Sequence, residues 1–109
     1  MISFISQARK RARQSNYNFR HGAVIVKGGR VLASGFNIAN TRKYIHAEIA
    51  AIANSPQTAN CTLVVVRILK NGTLSMSRPC EKCWNAINKA GISKVIFSNW
   101  GGEITTVRV

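Results

Sequence analysis

Residues 79 to 98, "PCEKCWNAINKAGISKVIFS", change character at Gly91. Pro79 suits a first helical turn and Gly91 a helix C-terminal stop, so the stretch up to Gly91 predicts a helix. From Lys94 the β-branched and aromatic residues predict a strand, and "KVIFSNWGGEITTVRV" divides into two strands at Gly101-Gly102. Upstream, "CTLVVVRILKNGTLSM" (61–76) reads as a long apolar strand with a turn at Asn71-Gly72. The helix is thus framed by strands on both sides.

Farther out, "HAEIAAIAN" (46–54) has high helix propensity and meets Ser55-Pro56, where a helix stops. A polar loop, "NIANTRK", precedes it. "GAVIVKGGRVLASGFN" (22–37) gives two β-branched runs hinged at Gly28-Gly29, a hairpin signal. At the N-terminus, Ile2, Ile5, Ala8 and Ala12 recur at helical spacing, and Arg9, Lys10, Arg11 and Arg13 occupy the other faces. The element order α, β, β, α, β, α, β, β predicts an α/β fold with a mixed sheet and helices packed on it.

A chain of 109 residues, 46% hydrophobic, predicts one domain over 1–109 with one packed core. No apolar run approaches the length of a membrane span, and the N-terminal charges follow the apolar residues, the reverse of a secretory signal. The expectation is a soluble, cytoplasmic protein. Cys61, Cys80 and Cys83 are odd in number and suit thiols or metal ligands better than a disulfide framework. Sixteen Lys and Arg against three Asp and Glu give a formal charge of +13. That balance speaks of partners: a polyanion, a phosphorylated small molecule or an acidic protein.

Cys80 and Cys83, three apart at a helix start, present both sulfurs on one face, where free N–H groups and the helix dipole favour thiolates. His46 opens the other helix and supplies a third ligand. A His, Cys, Cys set leaves the fourth tetrahedral position of zinc open, the mark of a catalytic site. Glu48, two residues beyond His46, would lie beside the metal rather than on it, where a carboxylate can shuttle protons to and from an activated water. Cys61 reads as a small core residue, and His21 as ordinary packing before the first strand.

"HAE" at 46–48 and "PCEKC" at 79–83 match the H-x-E…P-C-x-x-C signature of zinc nucleobase deaminases. With "GAVIV…ASGFN" before them and "NKAGISKVIFS" after, nearly the whole chain resembles the cytidine and deoxycytidylate deaminase superfamily. The resemblance implies a three-layer α/β/α fold with a mixed five-stranded sheet and helices on both faces. It implies zinc held by His46, Cys80 and Cys83, and Glu48 as general acid/base. It also implies substrate contacts from Asn37 and from the backbone of Ala47, and a homo-oligomer. Arg78 departs from the small, polar or acidic residue usual before the proline. The short tail implies an antiparallel final hairpin, as in the free-cytidine enzymes, whereas the helix sequence looks more like the deoxycytidylate branch.

The implied reaction is deamination of a cytosine ring in a nucleoside or nucleotide. A second reading is a deaminase of single-stranded DNA or RNA, acting on cytosine or adenine. There Arg9 to Arg13, Arg42 and Lys43 would track phosphates, and Trp100, Tyr44 or Trp84 would stack on bases. A third is a non-catalytic, basic nucleic-acid-binding module with structural zinc, which needs a fourth ligand.

Overall fold

A computed structural model describes residues 3–39 and 43–109; Ile2 and Arg42 lie outside them. Helix α1 (Phe4–Ala12) begins at Ser3, whose hydroxyl accepts a hydrogen bond from the Ser6 N–H at 3.0 Å. It lays Ala8 and Ala12, both fully buried, against the sheet. Strands β1 (Arg20–Lys27) and β2 (Arg30–Phe36) form the expected hairpin, its turn made possible by positive φ at Gly28 and Gly29. Two-residue strands β3 (Ile38–Ala39) and β4 (Tyr44–Ile45) pair with each other ahead of α2 (Ala47–Asn54).

Strand β5 (Thr62–Ile68) is followed by a tight turn and by β6 (Leu74–Ser75), which folds back along the end of β5. Helix α3 (Glu81–Ala90) and strand β7 (Lys94–Ser98) follow, and a short 3-10 turn leads to β8 (Ile104–Arg108). Gly91 ends α3 in the left-handed region at φ 76°, and the Ile92 N–H reaches back to the Ile87 carbonyl. Pro79 lies one residue before the N-cap, Cys80, outside the first turn expected of it. A fixed proline φ there delivers an extended backbone to the cap.

The sheet runs β2-β1-β5-β7-β8, antiparallel except for the β5–β7 pair. It thus has the five expected strands, and β6 adds a sixth at the end of β5. The final hairpin is antiparallel, as its glycine pair implied. Alternation along the strands divides the core: Val24, Val26, Val64 and Val66 meet α1, and Ala23, Ile25, Leu63, Val65, Val95 and Phe97 lie on the face of α2 and α3. The layers are therefore α/β/α. No helix among the described residues is long and apolar enough to cross a membrane.

Close backbone approach positions α2. A Cβ on Gly35 of β2 would lie 2.6 Å from the Ala51 nitrogen and 2.8 Å from the Ala50 Cβ. Only glycine lets the helix seat at this depth, and the residues at its head are set by that seating.

Candidate active site

His46 is the N-cap of α2 and Cys80 the N-cap of α3, positions where Ser, Thr, Asp or Asn ordinarily bond the helix N–H groups. Neither side chain does so here. Their donor atoms turn instead toward each other and toward Cys83, buried in the first turn of α3. The three donor atoms lie within 4.8 Å of one another. Tetrahedral zinc with sulfur at about 2.3 Å needs separations of about 3.8 Å, so the set has to close by roughly 1 Å. The residues fit the ion.

Glu48, in the first turn of α2, is 5% exposed. Burial pushes its carboxyl above the ordinary value, against the pull of its own backbone N–H and of the Cys83 thiol beside it. Burial likewise pushes the Cys83 thiol up, with Glu48 and Cys80 adding to the effect. His46 is held below its usual value by burial and by the Lys82 cation.

His46, Glu48 and Cys80 line a pocket of about 190 Å³ with Ala47, Tyr44, His21, Ser77 and Arg78. A larger groove of about 490 Å³ lies between α1 and the sheet, but Phe4, Ile5, Val31, Val64 and Ile96 give it a mainly apolar lining without a carboxylate, histidine or cysteine. The smaller pocket is the one that brings His46, Glu48 and Cys80 together. Arg78 stands at its wall with the guanidinium 5.6 Å from the Trp84 and Phe97 ring centroids. Trp84 itself packs against the core.

Asn37 is fully buried beneath the pocket wall. Its amide oxygen accepts from the His21 N–H at 2.8 Å, and its amide nitrogen donates to the Phe19 carbonyl and to the Tyr44 hydroxyl. The side chain thus ties β1 to the segment before His46. Burial raises the Tyr44 phenol, opposed by this Asn37 bond and reinforced by Glu48.

His21 is the residue whose surroundings the sequence concealed. Its Nδ1 lies 2.8 Å from the Ser77 hydroxyl, and its ring lines the pocket. Burial, then Arg67, then His46 lower its pKa to about 4, so the imidazole is neutral at physiological pH. The only sequence signal was parity: His21 shares a sheet face with Ala23 and Ile25, both in the core facing α2 and α3. Cys61 is a buried residue at the start of β5, its thiol donating to the Gln57 and Ala59 carbonyls.

The α/β/α sandwich thus carries a His, Cys, Cys cluster that could hold a metal ion beside a buried glutamate. The profile of the cytidine and deoxycytidylate deaminase zinc-binding region matches residues 1–99, and the chain belongs to that family. Among solved structures, it is similar to a cytidine deaminase from Burkholderia pseudomallei, with a TM-score of 0.78 at 21% identity over 96% of this chain and 89% of that one. It is also similar to a dCMP deaminase from the cyanophage S-TIM5, with a TM-score of 0.71 at 25% identity over 90% of this chain and 81% of that one. A cytidine deaminase from Mycobacterium tuberculosis gives 0.65 at 22% identity, over 87% and 80%. No curated protein sequence matches.

Proposed function

We propose that residues 1–109 act as one deaminase domain that hydrolyses a cytosine ring, in cytidine, deoxycytidine or their monophosphates, to a uracil ring and ammonia. The observation that carries this reading is the convergence of His46, Cys80 and Cys83 beside a small pocket that His46, Cys80 and the buried Glu48 line. The three ligands would hold zinc, which when bound supplies the Lewis acidity that makes water nucleophilic at neutral pH.

The chain's own part is proton management. Glu48 takes a proton from the attacking water and delivers it to ring N3 as the new C4–O bond forms. It then moves a second proton to the amine, and the C4–N bond breaks to release ammonia. A carboxyl raised by burial suits both roles, because it holds a proton more readily than an exposed one and can still give it back. The Ala47 backbone, at the same wall, meets the base edge. Asn37 is fully buried and would contact the substrate through its amide N–H once Tyr44 releases it. One subunit leaves this pocket open, and completion by a second copy in a homo-oligomer accompanies the reading.

The structural-zinc module is disfavoured by one observation. Among the described residues no fourth ligand joins the cluster, and Cys61, the spare thiol, is bonded elsewhere.

The test is a panel of cytidine, deoxycytidine, their monophosphates and adenosine, incubated with zinc-loaded protein while ammonia and product mass are followed. Release of ammonia with a uracil-ring product is the expected result. Conversion of adenosine alone would reassign the base, and conversion of nothing would overturn the reading.

A further inference from the structure

The active-site pocket, about 190 Å³, is smaller than the roughly 300–1,000 Å³ of sites that enclose a whole small ligand. It has room for a base, and a second cavity of about 630 Å³ shares Tyr44 and His46 with it. What carries the base lies toward the pocket's mouth, and the surface there is unusual. A line of rings leaves the site: Tyr44 stands 4.7 Å from His46, Tyr17 is 4.8 Å from Tyr44, and Phe19 is 6.1 Å from Tyr17. None is sequestered in the core; Tyr17 is 37%, Tyr44 41% and Phe19 50% exposed.

Cations accompany the rings. The Arg67 guanidinium lies 4.6 Å from the Phe19 ring centroid, and its Nε is buried without a hydrogen-bond partner. Arg20 and Lys70 line a small cavity together with Tyr17, and Arg78 stands on the pocket wall. Among the described residues none of these four cations has a carboxylate partner. A single 5′-phosphate has no use for four cations and three rings. Trp100, the most exposed aromatic at 68%, lines none of these cavities and has no place in the ridge.

We propose that the pocket receives its cytosine from a single-stranded nucleic acid. A nucleotide beside the target stacks on Phe19 and Tyr17, while Arg67, Arg20 and Lys70 take the neighbouring phosphates. The inference rests on the cytosine-deaminase reading and extends it from the base to the strand that presents it. Exposed rings accept any base because every base has a π-face, and unpaired arginines gain affinity by releasing the strand's counterions. A duplex is excluded from the pocket unless the target base leaves its stack.

The test pairs binding with turnover. Labelled single-stranded DNA and RNA oligonucleotides, each with one cytosine in a thymine or uracil run, are titrated by anisotropy against the zinc-loaded Glu48→Ala protein. The same oligonucleotides and deoxycytidine monophosphate are offered to protein with Glu48 intact. Expected are submicromolar strand binding with a log–log salt slope of about −2 to −3, as three or four phosphate contacts give, and a higher kcat/KM on the strand than on the mononucleotide. Phe19→Ala and Arg67→Gln should each lower strand turnover about tenfold more than mononucleotide turnover. Thermal melts of both variants establish that they fold, and Arg67→Gln carries the test if Phe19→Ala does not. The DNA and RNA arms identify the sugar.

Mononucleotide converted at least as well as either strand would overturn the inference and leave the deaminase reading standing. Equal losses on both substrates would also overturn it, since the rings would then belong to the mononucleotide site. Conversion of neither substrate would overturn the deaminase reading with it.

Discussion

At the level of single residues, the pocket gathers four groups, His21, Tyr44, His46 and Glu48, whose burial pulls them from their ordinary ionisation. His21 titrates at about 4 in the folded chain against a reference of 6.5. Between those values the unfolded chain binds a proton that the folded one refuses. Stability from this group is therefore complete above pH 6.5 and is lost as pH falls toward 4. The loss is no more than about 3 kcal/mol, reduced by the solvent that reaches this half-buried ring. Urea midpoints at pH 7.5 and pH 5 should fall more steeply for the native protein than for His21→Gln, which has no proton to bind. His46, Glu48, Cys80 and Cys83 were legible because each pair is separated by only two or three positions and a helix start fixes how such neighbours face. His21 was not, because Arg67 lies across the sheet and Ser77 is 56 positions away. Only strand register brings them together.

Elements position those residues through contacts that leave no slack. A Cβ at Gly35 would press on the backbone of α2, so Gly35→Ala should push the helix off β2, costing about 1–3 kcal/mol. His46 and Glu48 move with the helix, and bound zinc per chain should fall as well, which metal analysis would show. An unchanged melting temperature and metal content would contradict this seating. The three helices, and the stops of α2 and α3, were readable from local chemistry: apolar spacing, Pro56 and Gly91. The short strands β3, β4 and β6 were not, since two-residue pairings have no periodicity to display. Pro79 shows a related limit: its fixed φ serves a residue before the cap as well as one after it, and position alone does not say which.

For the whole molecule, zinc held by His46, Cys80 and Cys83 as proposed would tie the start of α2 to that of α3. Chelation should lower the melting temperature by several degrees, and added zinc should restore it. A melting curve indifferent to chelator would place the cluster outside any metal's reach. The charge of +13, with only three acidic residues to offset it, repels itself, so moderate salt should raise the melting temperature while weakening any bound polyanion. A mixed sheet and an antiparallel tail followed from the sequence of elements and from Gly101-Gly102, whereas the strand order β2-β1-β5-β7-β8 is set by long-range pairing. The ridge of Tyr17, Phe19 and Tyr44 did not, because it is assembled from a loop after α1 and a strand before α2.

Turnover of a cytosine-bearing substrate in water enriched in heavy oxygen, by native protein and by Glu48→Gln, bears most directly on the chemistry. Hydrolytic deamination predicts one heavy oxygen in the uracil ring of the native product, and a rate at least about 100-fold lower in the variant, whose amide cannot carry the proton. Product without the label, or a variant as fast as the native protein, would contradict it.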